Sequence, residues 1–328
     1  MNSAGIGYGK LLLFGEHSAV YGYPALGTSL PISTRLFLSG TGTKGAEPVP
    51  ELVRPPLRAA WREIQAALES RGVPAMEERE NLDYLSSVPM GSGFGSSAAA
   101  CVALARLISP AECDTATLWW AANCGERVFH GTPSGIDTGL ALGGGLFLIE
   151  FGGDRIPVRT AVSSAELYLV AGTVARERST KELVAGLAEL RRRDPTRVQS
   201  ALDRLGAITQ DAAQFLRRKR ASTIGSLADE AQSLLRSLEL SSDTLEEVLT
   251  LAKKAGASGA KLSGAGGGGA FYAIAPDMET AMRIAARLEE HPACRTIPPF
   301  NLSKLVRDKA EKETTGAALE GINELYRG

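Results

Sequence analysis

Apolar and polar positions recur at two periods along this chain, and the change from one to the other outlines its organisation. A short apolar run at 11–14 lies between glycines and 34–39 is rich in β-formers, so both predict strands. Over 55–71, Leu57, Trp61, Ile64 and Leu68 recur at spacings of three and four, which predicts a helix. A strand is expected over 81–88, followed by a glycine–serine loop at 89–97. An Ala/Leu-rich helix then spans 98–108, starting beside Ser96 and Ser97. Further on, the pattern predicts a helix at 114–130 and strands at 143–151 and 166–173. From 179 to about 255 it is almost wholly helical, opened by Ser179-Thr180-Lys181-Glu182 as a capping box. A glycine loop (264–269), an apolar strand (270–275), a helix (277–291) and a short strand near 295–300 complete the pattern. That order predicts an α+β protein of two lobes, 1–160 and 161–328. No internal repeat is visible, and the charged segment 301–328 reads as a docked helix or a frayed tail.

Composition narrows the classes. The chain of 328 residues carries 36 Lys+Arg against 37 Asp+Glu, a net charge of -1, which argues against nucleic acid as a partner. No apolar stretch approaches the ~20 residues a bilayer requires, and the N-terminus has no signal-like run, so no membrane partner is expected. Cys101, Cys113, Cys124 and Cys294 show no CxxC spacing, so neither a disulfide scaffold nor a zinc site is expected, and a reducing cytoplasm fits best. Arg191-Arg192-Arg193 and Arg217-Arg218-Lys219-Arg220 read as solvated helix faces, with acidic partners as the alternative. Glycine is in excess, 36 residues against a usual ~7 %.

Three glycine segments invite a nucleotide reading. Residues 264–269 satisfy G-x-G-x-x-G, but Ala270-Phe271-Tyr272-Ala273-Ile274 follows as a strand, whereas a dinucleotide turn must open a helix. Gly9-Lys10 resembles the end of a Walker A loop, yet Leu11 stands where the magnesium-binding hydroxyl belongs and Ala4 where the first glycine belongs. The loop Gly91-Ser92-Gly93-Phe94-Gly95-Ser96-Ser97 remains. Alternating glycines, two hydroxyls and a helix start together form an anion cradle, against the plainer reading of a flexible turn. Glu126 and His130 share a helix face, and Asp137 follows in a loop containing Gly131, Pro133 and Gly135. Two carboxylates converging beside a bound triphosphate would divide the work, one holding Mg²⁺ and the other facing a substrate hydroxyl. Alternatively, Glu126 is a solvated helix residue and Asp137 a turn former. Lys10, Glu16 and His17 flank the apolar run at 11–14, as site residues or as ordinary surface.

Taken together these segments resemble the GHMP kinases. Pro89-Met90-Gly91-Ser92-Gly93-Phe94-Gly95-Ser96-Ser97 is similar to the family's PxGxGLGSS loop, with Phe94 in place of Leu. Residues 261–269 resemble its third motif, a loop that braces the nucleotide loop. Within the superfamily, residues 9–22, 130–137 and 178–184 are most similar to the mevalonate kinase family, although Thr138 stands where Asn is common. The resemblance implies a first lobe like ribosomal protein S5 domain 2 and a ferredoxin-like second lobe. It implies ATP and Mg²⁺ as cofactors, with Pro89, Gly91, Ser92, Gly93, Phe94, Gly95, Ser96 and Ser97 around the nucleotide. Ser97 and Glu126 would hold the metal, and Asp137 would face the acceptor hydroxyl with Lys10 beside it. Glu16, His17 and Thr180 would contact the small-molecule substrate, (R)-mevalonate, which gains a phosphoryl group at its C5 hydroxyl. A related kinase acting on another hydroxy acid, phosphomevalonate or a sugar is the alternative. A fold-sharing ligand sensor would be expected to lose Lys10, Asp137 or the cradle, and all are present. A homodimer is compatible with this reading, and the sequence does not set the oligomeric state.

Overall fold

The computed structural model describes residues 3–40, 45–79, 81–151, 157–162 and 166–305. β1 (Ala4–Phe14) and β2 (Ala25–Leu38) form a long antiparallel pair, with Lys10 opposite Ser29 and Leu12 opposite Gly27. Both strands run well beyond the apolar runs that predicted them. The extra length of β1 is glycine-spaced because a helix lies on it: a Cβ at Gly7 would fall 2.0 Å from the carbonyl oxygen of Ala99. On its other edge β2 pairs with β4 and β5. The path through this sheet is β3 (Glu47–Pro48), β4 (Leu82–Ser86), β2, β5 (Leu146–Phe151) and β6 (Pro157–Ala161). α2 (Ser96–Ile108) and the short α4 (Ile136–Ala141) pack against it, and α1 (Arg54–Glu69) and α3 (Thr115–His130) pack on α2 and on each other. α1 buries Leu57, Trp61, Ile64 and Leu68, the positions whose spacing predicted it.

A second antiparallel sheet follows, in the order β10 (Cys294–Thr296), β7 (Tyr168–Val174), β9 (Gly269–Ala275), β8 (Gly259–Leu262), with β11 (Phe300–Asn301) also on β7. The strand expected near 295–300 is thus two short pieces. Pro298 and Pro299 lie between them and lack the N–H groups a continuous ladder needs. The helical stretch resolves into α5 (Thr180–Arg193), α6 (Pro195–Arg217), α7 (Ile224–Ser237) and α8 (Asp243–Lys254), with α9 (Met278–Glu289) after β9. α5 carries the expected capping box, Ser179 and Glu182 each satisfying the other's backbone N–H. Of the charged segment 301–328, Asn301 belongs to β11, and residues 306–328 lie outside the described residues. No described helix is long and apolar enough to cross a membrane.

One core passes through both sheets. Leu11, Leu13, Phe14, Leu26 and Leu30 share a buried cluster with Leu169, Val170, Phe271 and Tyr272. Hydrogen bonds reinforce that junction: the Leu12 N–H donates to Ser263 Oγ at 3.1 Å, and the Tyr272 hydroxyl to the Leu13 carbonyl at 2.7 Å. The mouth between the sheets therefore opens from a rigid floor.

Candidate active site

β1, α2, α3 and α4 meet β7, α5 and the glycine-rich turn before β9 around a cleft of about 610 Å³. The phosphate loop forms one wall. Gly91, Gly93 and Gly95 all take positive φ (71°, 90° and 74°), which turns the backbone sharply into α2. α2 begins at Ser96 with Gly95 before it and no side-chain cap, so the N–H groups of its first turn are left for an anion. Gly91, Gly93, Gly95, Ser96 and Ser97 line the cleft.

Pro89, Ser92 and Phe94, also expected around the nucleotide, make contacts within the loop itself. The Phe94 ring is in the core, 1 % exposed, and Ser92 Oγ accepts the Phe94 N–H and donates to the Pro89 carbonyl. The Lys10 N–H donates to the Phe94 carbonyl and Thr173 Oγ1 to that of Ser92, so strands of both sheets hold the loop. Gly93 packs on the start of β9, where its Cβ would lie 3.0 Å from Ala270.

Lys10 runs along bare backbone to reach the centre: a Cβ at Gly95 would fall 2.7 Å from its Cγ. Its Nζ lies 3.1 Å from Asp137 Oδ1, with the lysine side chain 6 % and the aspartate 42 % exposed. Asp137 is not in a loop, as the sequence suggested, but in the first turn of α4. Gly135 (φ 81°) precedes that helix, and its carbonyl is held by the Trp119 indole. Thr138, the departure from the expected Asn, is buried and donates to Asn123 Oδ1 and to the Gly135 carbonyl, which steadies the same turn.

Ser97 on α2 and Glu126 on α3 face each other, Oγ donating to Oε1 at 2.7 Å, with His130 Nε2 at 3.3 Å from both. Glu126 is buried, and burial pushes its carboxyl up to about 7. Asp137 adds to the rise, while the Ser97 hydrogen bond and Lys10 oppose it. Its Oε2 has no protein partner. An orphaned carboxylate oxygen beside a hydroxyl and a phosphate cradle suits a hard divalent cation whose remaining ligands are phosphate and water. Among the described residues no group of three or more His, Cys, Asp or Glu is arranged to hold a metal alone, so the nucleotide itself would complete the shell.

The substrate-side expectations divide. Glu16 borders the cleft beside His17, but its side chain is fully buried: one carboxylate oxygen pairs with Lys261 Nζ at 2.5 Å and the other, Oε2, has no partner. Burial pushes the Glu16 carboxyl up and the Lys261 ammonium down, and their mutual attraction opposes both shifts. His17 lines the cleft, with its Nε2–H donated to the Ala265 carbonyl at 2.9 Å; burial pushes its pKa down, which keeps the ring neutral. Thr180 lines the opposite wall beside Val184, and its Oγ1 accepts from Arg176. Sequence reasoning missed Lys261 and Arg176. The first had a visible signal, a lone lysine in an apolar strand segment; Arg176 had none.

Family models match both parts of the chain, "GHMP kinases N terminal domain" over residues 57–145 and "GHMP kinases C terminal" over 212–294. A protein named mevalonate kinase from Thermococcus sibiricus is 30 % identical over 309 residues, covering 85 % of this chain and 91 % of that protein. Its namesake from Pyrococcus horikoshii is 31 % identical over 310 residues, covering 84 % and 90 %. Among solved structures, L. major mevalonate kinase in complex with R-mevalonate superposes with a TM-score of 0.76 at 25 % identity, covering 91 % of this chain and 97 % of that one. Streptococcus pneumoniae phosphomevalonate kinase in complex with phosphomevalonate and AMPPNP has a TM-score of 0.70 at 16 % identity, covering 91 % and 99 %, a likeness of fold alone.

Proposed function

The chain belongs to the GHMP kinases, and on that premise we propose that it transfers the γ-phosphoryl group of ATP to the C5 hydroxyl of (R)-mevalonate. The products are (R)-5-phosphomevalonate and ADP, and the setting is isoprenoid precursor synthesis in the cytoplasm. One observation carries the reading as a kinase: the Lys10–Asp137 contact stands beside a glycine cradle at an uncapped helix start. The names of the relatives support mevalonate as the acceptor.

Phosphoryl transfer of this kind proceeds through a loose transition state, so a protein contributes mainly position and charge neutralisation. The loop at 91–97 and the α2 N-terminus receive the phosphates through backbone N–H groups. Ser97 Oγ and Glu126 would hold Mg²⁺, which when bound would offset phosphate charge. Asp137 orients the acceptor hydroxyl. A carboxylate is a weak base towards an alcohol, so Asp137 takes the proton late, as the oxygen–phosphorus bond forms. Lys10 stabilises the charge that builds on the moving phosphoryl group and keeps Asp137 in place. His17 and Thr180 bound the acceptor's end of the cleft.

The metal assignment has its own test. Ser97→Ala combined with Glu126→Gln is expected to raise the Mg²⁺ concentration giving half-maximal activity by about 10–100-fold. An unchanged magnesium titration would remove both residues from the metal site. For the acceptor, ADP release is measured over mevalonate, phosphomevalonate, galactose and homoserine. Turnover is expected on mevalonate; turnover on one of the others in its place would reassign the substrate.

A further inference from the structure

Most cations around the cleft are matched by a partner within the protein. Lys10 pairs with Asp137, and Lys261 is spent on Glu16. Arg176 differs. It is exposed, it lines the cleft, and the partner its guanidinium reaches is neutral, the Thr180 hydroxyl at 3.3 Å. Nearby Arg178 turns the other way and donates to the carbonyls of Glu239 and Ser241.

The position of the Arg176 head group is set by missing side chains. Its Nη2 lies 3.3 Å from where a Cβ of Gly93 would stand, and its Nε 2.8 Å from that of Gly269. Both glycines take positive φ, 90° and 77°. The guanidinium thus rests on two bare stretches of backbone, one in the phosphate loop and one at the head of β9. A side chain at either position would displace it.

We propose that Arg176 is a nucleotide-binding residue, its guanidinium contacting phosphate oxygens of ATP held on the 91–97 loop. The inference rests on the kinase reading above. A triphosphate carries more negative charge than one divalent cation offsets. Lys10 is already partly neutralised by Asp137, and a helix start supplies only about half a charge. A planar guanidinium with several donors suits non-bridging phosphate oxygens better than a point charge does. Thr180 then serves by steering Arg176 as well as by bounding the acceptor.

Titration calorimetry with a non-hydrolysable ATP analogue and Mg²⁺ tests this on the wild-type chain, Arg176→Gln and Arg176→Lys. Arg176→Gln is expected to weaken the analogue by about 10–100-fold, the value of a charge-assisted hydrogen bond, with Arg176→Lys in between. The KM for mevalonate and the melting temperature are expected to stay near the wild-type values. Equal nucleotide affinity in wild type and Arg176→Gln would overturn the proposal. So would a loss confined to the acceptor's KM, which would assign the cation to the acceptor's carboxylate. A wild-type chain that does not bind the analogue would overturn the kinase reading and this inference with it. A wild-type chain that binds while Arg176→Gln binds equally well overturns the inference alone.

Discussion

Asp137→Asn is expected to lower kcat by about 10²–10⁴ while leaving nucleotide affinity within about threefold of wild type. The asymmetry of the Lys10–Asp137 pair is the reason. Lys10 is buried to 6 % exposure and is held along the bare Gly95 backbone, whereas Asp137 keeps 42 % of its side chain open to the cleft. One carboxylate oxygen meets the ammonium, and the half-open side chain can still meet an acceptor. An amide retains the shape and can still orient a hydroxyl, but it cannot take the proton that must leave as the new bond forms. The loss therefore falls on the chemical step. Lys10 links Asp137 to the phosphate loop, and the backbone N–H groups of that loop are untouched by the change, which explains why nucleotide binding is spared. Steady-state kinetics together with calorimetric nucleotide binding decide the matter, and near-normal turnover would remove Asp137 from the reaction.

The second large effect concerns stability. Lys261→Met is expected to destabilise the fold by about 3–5 kcal/mol, read from the urea midpoint, because it leaves the Glu16 carboxylate buried and unpaired. Glu16 already has one oxygen, Oε2, without a partner, so little remains nearby to share its charge. Lys261 is equally constrained: its ammonium also donates to the Leu262 carbonyl and lies near the rings of Phe14 and Tyr272. Removing both charges is a different matter. Glu16→Gln with Lys261→Met is expected to recover most of the loss, since a buried pair often contributes little beyond a neutral replacement. A single Lys261→Met chain as stable as wild type would show that the carboxylate is accommodated without its partner.

What could be read from the sequence, and what could not, follows from the range of the interactions involved. The helices at 55–71 and 98–108 and the capping box at Ser179 depend on neighbours within a few positions, and each stands within a residue or two of its expected place. The phosphate loop was visible for the same reason, since its glycines and hydroxyls act on their own backbone. The pairing of Glu16 with Lys261 was not visible, because the two lie 245 positions apart. β8 was missed because it is four residues long and carries a buried lysine, a pattern that looks polar until its partner is known. The division within the loop, with Gly91, Gly93 and Gly95 facing the cleft and Ser92 and Phe94 turned inward, depended on packing against Lys10, Thr173 and Ala270. Arg176 lay outside any motif, and only the two glycines beneath it mark its place.

The bond from Leu12 to Ser263 joins residues 251 positions apart, and that separation bears on how the molecule is made. Chains emerge from the ribosome N-terminus first, and distant pairings form late because loop closure must precede them. Lys10, the phosphate loop, Glu126 and Asp137 are all synthesised long before the strand that braces them. Until Lys261 and Ser263 arrive, Glu16 has no counter-charge, and the apolar face of β1 lacks the Phe271 and Tyr272 side of its core. A nascent chain stopped short of β8 thus holds the groups proposed for the transfer on an exposed, unfinished floor. Premature termination there would yield a sticky fragment dependent on chaperones, and catalytic competence would come only with the last part of translation.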